Sequence, residues 1–106
     1  MIGVPVGCLG AADRNLGVLA STLRRWDDAE RHFEAALMMN TRTDGRPWVA
    51  LTQRDYAQML FARGRRGDRE RARQYLSACL ELAQLLGSAA IHWKAAAAMK
   101  SLSQAG

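Results

Sequence analysis

At 106 residues, with 49% apolar and 24% charged side chains and only 2 prolines, the chain has the make-up of one folded domain and not of a disordered segment. Its net charge is +5 and 13 of its 15 basic residues are arginine, a balance that permits an anionic partner without requiring one. No apolar run approaches the ~20 residues of a membrane span, and the apolar opening from Met1 to Val6 lacks the basic flank and long core of a signal peptide. Cys8 and Cys79, 71 positions apart, fit neither a disulfide framework nor a zinc spacing. Both read as small buried hydrophobes in a reducing compartment, so a cytoplasmic, unstapled chain is expected.

Helical periodicity runs through the sequence, and five helices are predicted over residues 8–24, 27–40, 47–63, 68–86 and 89–104. In the first, Leu9, Ala12, Leu16, Leu19, Ala20 and Leu23 follow three- and four-residue steps and form the stripe expected to be buried. Arg24 and Arg25 suit its C-terminal dipole. Asp27 then offers an N-cap, and Glu30 three residues on completes a capping-box pattern. The second stripe is Ala29, Phe33, Ala36, Leu37 and Met39. A loop is expected from Asn40 to Arg46, after which Pro47 fits the first turn of the third helix. That helix is expected to bury Val49, Tyr56, Ala57 and Leu60, with Thr52 and Gln53 on the same side. Gly64 and Gly67 turn the chain. Asp68 is placed as the cap of a fourth helix striped by Ala72, Tyr75, Leu76, Cys79, Leu80, Ala83 and Leu86. Gly87 and Ser88 pair a stop with a new cap, and Ile91, Ala95, Ala98, Met99 and Leu102 line the fifth helix. Strand alternation and hairpin turns are missing, so the fold class is all-α.

Two helical pairs read as copies of one unit. The first holds Leu16, Gly17, Ala20, Trp26, Ala29, Phe33, Ala36 and Leu37; the second holds Tyr56, Ala57, Leu60, Gly64, Ala72, Leu76, Cys79 and Leu80. In each, small residues stand where two antiparallel helices must approach closely and large ones fill the gap beside them. This pattern resembles the tetratricopeptide repeat. Gly17 to Ala57 is 40 residues and Ala29 to Ala72 is 43, against 34 in the standard repeat, and Thr41 stands where a closing proline is usual. Lengthened repeats of this kind, with stretches such as Arg25-Trp-Asp-Asp-Ala-Glu-Arg-His-Phe-Glu-Ala-Ala-Leu, are similar to the helical arrays of bacterial ATP-dependent transcriptional activators of the STAND class and of multidomain class III adenylate cyclases. The resemblance implies an α-solenoid of two units plus one extra helix, in a single domain over residues 1–106. It also implies an interaction, sensor or scaffold module of a larger bacterial signalling or transcriptional regulator, with neighbouring domains of that parent among its partners. Repeat units bury their apolar faces by stacking. Neither end carries a polar cap, which points to a segment of a longer array or to self-association through the uncapped ends.

Catalytic chemistry finds no support in the residues. His32 and His92 have no nucleophile or carboxylate tied to them by spacing, and Asp27, Asp28 and Glu30 are explained by capping. No phosphate loop, dinucleotide fingerprint or metal-ligand cluster is present, so no cofactor and no enzyme activity are expected. The run from Arg63 to Arg73 carries six arginines against Asp68 and Glu70 and is the one candidate footprint for nucleic acid, although it lacks interleaved aromatics. The resemblance supplies the most concrete site. First helices of such pairs line a concave face, which places Arg14, Val18, Ser21, Leu51, Arg54, Gln58 and Phe61 on a groove for a protein or peptide. Arg14 and Arg54 occupy matching positions and favour an acidic partner. The lysine and asparagine pattern of the family's carboxylate clamp is absent, since Val18 occupies one of its asparagine positions.

Overall fold

Helix boundaries follow from the residues able to leave helical geometry. The computed structural model describes residues 6–42 and 45–104, in five helices: α1 (Val6–Thr22), α2 (Trp26–Arg42), α3 (Arg46–Arg63), α4 (Asp68–Leu86) and α5 (Ala89–Gln104). The side chains of Cys8, Leu9, Ala12 and Thr41, and residues 43–44 of the expected loop, lie outside the described residues. Helix α1 stops two residues earlier than periodicity suggests because Arg24 turns left-handed at φ 59°, with the Arg25 amide closing back on the Ala20 carbonyl at 2.8 Å. Gly64 and Gly87 end α3 and α4 in the same left-handed way, where no side chain opposes it. Helix α2 runs on through Arg42, so the expected Asn40–Arg46 loop shrinks to the few residues before α3.

Two expected caps act otherwise. Helix α2 starts at Trp26, one residue before Asp27, which therefore sits in the first turn and is not the N-cap. Its capping-box partner Glu30 is occupied by Arg63 instead. Gly67 is the N-cap of α4, and the Asp68 carboxylate accepts from the Arg65 amide and from Arg63. Ser88 does cap α5, its hydroxyl accepting from the Ile91 amide at 3.2 Å.

The helices pack as successive antiparallel pairs in a slab 17 Å deep, the depth of two helix layers. Helix α1 packs on α2 and α3 on α4, and each pair leans on the next through its second helix. Helices α1, α3 and α5 also touch in succession, whereas α2 and α4 meet through the Arg71–Glu30 ion pair without close backbone packing. The first helices thus form the tight inner layer and the second helices a splayed outer one, the geometry of a curved all-α solenoid. Gly17, Ala29, Phe33, Ala36, Ala57, Leu60, Ala72, Leu76 and Cys79 are buried, with Trp26 packed against them. Burial pushes the Cys79 thiol up to about 11, and it donates to the Ala50 carbonyl.

The two units are joined by three rings. Phe33 of α2 stacks on Tyr56 of α3 at 5.4 Å between centroids, and Tyr56 stacks on Tyr75 of α4 at 4.7 Å. The Tyr56 hydroxyl donates to Glu34 and accepts from Arg71, and burial with the Glu34 bond drives its ionisation far above the ordinary range. Beside the stack lies a second junction of ion pairs. Arg63, 5% exposed, holds Asp68 with two nitrogens and reaches Glu30 of the other unit. The Asp68 carboxyl is held below its usual range by the Arg63 hydrogen bonds against the pull of burial. Burial alone would raise Glu30, but Arg63 and then Arg71 bring it below the ordinary value.

One part of the expected core is not buried. Leu16, Leu19 and Leu23 are 46%, 55% and 60% exposed, whereas Gly17 and Ala20 on the adjoining side of α1 are covered. Among the described elements α1 packs on α2 and α3, and Asp28 and His32 of α2 flank the leucine side without covering it.

Gly17 lies where a β-carbon would stand 2.8 Å from the Phe33 ring. Alanine inside a helix ordinarily gains about 1 kcal/mol over glycine. Phe33 is locked in the ring stack, so overpacking of about 1–3 kcal/mol opposes that gain. Urea denaturation is expected to show Gly17→Ala destabilised by about 1 kcal/mol, and a stabilised variant would contradict the close approach. Breaking the buried pair with Asp68→Ala is expected to cost about 3 kcal/mol. The same change at half-buried Asp28, whose partners Arg25 and Arg31 are solvated, should cost less than about 1 kcal/mol. Asp68 and Glu30 have depressed folded values, so their contribution is complete above the unfolded carboxylate range and disappears as pH falls through the folded values. Thermal melts between about pH 6 and pH 2 should therefore fall less steeply in Asp68→Asn than in the unaltered chain.

Candidate functional site

Helices α1 and α3 face one another across the inner layer, and their side chains define a groove. Val18, Ser21 and Thr22 from α1 and Asp55, Gln58, Met59 and Ala62 from α3 line a cleft of about 260 Å³ with Phe33 behind it. A second cleft of about 190 Å³ follows between α3 and α5, lined by Gln58, Phe61, Leu76, Ala98, Ser101 and Leu102. Gln58 lines both, so the clefts adjoin on the α1–α3–α5 face. Both are largely apolar, and the first adds the Ser21 and Thr22 hydroxyls, the Gln58 amide and the Asp55 carboxylate to its lining.

Of the residues expected on this groove, Val18, Ser21, Gln58 and Phe61 stand in the clefts. Arg14 and Arg54 are brought together, but by a residue that sequence periodicity passed over. Asp55, 7% exposed, accepts from Arg14 Nη1 at 2.5 Å and from Arg54 Nη1 at 3.1 Å. Two guanidiniums on one carboxylate leave a single net positive charge at the head of the groove, a weaker preference for an acidic partner than two free arginines would give. Leu51 lies apart, half-buried against the apolar cluster of Ala50, Cys79, Ala83, Ile91 and Ala95 under α5.

Among the described residues, the buried side-chain polar atoms without a partner are Arg14 Nε, Arg54 Nε and Gln53 Oε1, none of which lines either cleft.

The arginine run from Arg63 to Arg73 is largely consumed inside the molecule. Arg63 is buried on Asp68 and Glu30, Arg71 donates to the Tyr56 hydroxyl and reaches Glu30, and Arg69 donates to the Leu102 carbonyl while lying 6.0 Å from the Phe61 ring centre. Arg65 approaches Asp27 at 3.7 Å. Arg66 and Arg73 remain exposed, on different stretches of the α3–α4 turn and α4. A continuous phosphate-binding stripe needs several such groups on one face, and the partners described here engage four of the six. A wide, shallow hollow of about 440 Å³ at the turn between α1 and α2 is lined by Arg24, Arg25, Trp26, Asp27, Asp28 and Arg65, whose opposite charges face each other across it.

Among the described residues no cluster of His, Cys, Asp or Glu could hold a metal ion, and no helix is long and apolar enough to cross a membrane. Comparison with curated proteins and with solved structures yields no match. The sequence profile of the tetratricopeptide repeat, by contrast, matches residues 9–84, which takes in both helix pairs and the groove between them. With the small-residue contacts, the paired helices and the curved inner layer in place, the chain belongs to the tetratricopeptide repeat family.

Proposed function

We propose that the chain is a protein-binding module whose α1–α3–α5 face receives an extended peptide segment, and that it acts by recognition and not by catalysis. Tetratricopeptide repeats generally mediate protein–protein interaction or scaffolding, and the groove here supports that use. The observation that carries the reading is the pair of adjoining clefts on this face, lined by Val18 and Ser21 in the first, Phe61 in the second and Gln58 in both. A peptide crossing from α1 to α5 would meet hydroxyls and the Arg–Asp55–Arg cluster first and an apolar notch beside Phe61 second. It would therefore be read by a polar or acidic residue followed by an aliphatic or aromatic one. A place in a larger bacterial signalling or transcriptional regulator, with neighbouring domains as further partners, follows from the sequence resemblance and is proposed on that ground. A longer array of stacked units is proposed on the same ground.

Selection of a phage-displayed library of random dodecapeptides against the whole chain tests the groove. Selected peptides should be enriched in an acidic-then-apolar order, and Val18→Arg and Phe61→Ala should each weaken their binding by about tenfold. Leu85→Lys, on the exposed side of α4, should leave binding unchanged. Equal loss from Leu85→Lys, or none from the groove variants, would overturn the assignment.

A further inference from the structure

We infer that Arg69 sets the size of side chain that the second cleft accepts, by strapping the end of α5 to Phe61; the inference rests on the peptide-groove reading above. Within its own helix Arg69 is poorly placed. Helix α4 begins at Asp68, so Arg69 stands in a first turn, where the dipole favours Asp68 and Glu70 and opposes a cation. Helix α5 has the opposite need. Its last turn carries no basic residue, and the Leu102 carbonyl lies there, where intrahelical donors run out. Arg69 Nη2 donates to that carbonyl at 3.0 Å. An arginine ill-suited to the start of one helix thus caps the end of another. Among the described residues this is the one side-chain hydrogen bond that another helix makes to α5.

The same guanidinium lies 6.0 Å from the centre of the Phe61 ring, which is 37% exposed. Phe61 belongs to α3 and Leu102 to α5, and both line the second cleft. Arg69 therefore holds one residue from each wall. Buried Ala98 and Leu102 seat α5 on the core, and the strap fixes how far its last turn stands from Phe61.

The volume between these walls, about 190 Å³, suits one anchor of limited size. An apolar cavity of ~150 Å³ holds a benzene ring, so a leucine, methionine or phenylalanine side chain fits, whereas an indole requires the walls to part. Parting them costs the hydrogen bond to Leu102 and the contact with Phe61. Selectivity of this kind comes from penalising the larger ligand and not from a stronger hold on the smaller one.

Two dodecapeptides from the groove selection, identical except for leucine or tryptophan at the apolar position, test this on the full chain by fluorescence anisotropy. The unaltered chain should prefer leucine by about tenfold. Arg69→Ala should reduce that preference to about twofold, chiefly by strengthening the tryptophan peptide, while amide exchange in the last turn of α5 quickens. Arg69→Lys, which keeps a donor for the carbonyl, should restore the preference. An unchanged preference in Arg69→Ala, or an equal loss of both peptides, would overturn the assignment. Should Phe61→Ala leave both peptides unaffected, the groove reading fails and the strap with it. Dependence on Phe61 with indifference to Arg69 would remove the strap alone.

Discussion

The contact on which the two units depend is the face of Phe33. On one side the ring lies against the bare backbone of Gly17, and on the other it stacks on Tyr56, which stacks in turn on Tyr75. Four helices are thereby tied through three rings and one missing side chain. The distance of α1 from α2 is set by the absence of a β-carbon, and the orientation of the second unit by the plane of an aromatic ring. Curvature follows. With the first helices close together and the second helices apart, the stack bends and a concave side exists to be used.

Ion pairs fix what the rings leave free. Arg63 could have been one more solvated cation in a basic stretch, yet it is buried on Asp68 and Glu30, while Arg71 spans Tyr56 and Glu30. Such pairs contribute little net stability compared with apolar packing, but removing one partner is costly. Their effect is to specify angle and register at the junction. The high arginine content is thus in part architectural. Guanidinium, planar and always charged, can bond a carboxylate, a hydroxyl and a ring face from one position in a way lysine cannot.

The fold was legible in the sequence because it is written in side-chain size at helical spacing. Gly17, Ala29, Ala36, Ala57, Ala72 and Cys79 declare close approach locally, whatever lies far away in the chain. Two kinds of feature were not legible. Asp55 sits on a helix with no distinguishing pattern, and its role arises only when α1, 41 residues earlier, is laid against it. Glu30 and Asp68 read as caps because the residue types that satisfy a helix start are also those that bind arginine across an interface. The leucines of α1 mark a third limit. Periodicity identifies which side of a helix is apolar, but whether another helix covers that side depends on neighbours.

Helix α1 therefore carries three different surfaces within a few turns. Gly17 and Ala20 face the core, Val18, Ser21 and Thr22 face the groove, and Leu16, Leu19 and Leu23 face outward. A step of 100° per residue separates these sets, so a ligand on one side does not obstruct the other. Among its described side chains the helix is anchored to the rest by Gly17, Ala20 and the Arg14–Asp55 pair. Any molecule bound on either exposed side adds its binding free energy to the folded form of this helix. The exposed leucines of α1 have a plain cause: among the described helices only α2 and α3 pack on it, and its third side is left uncovered by them.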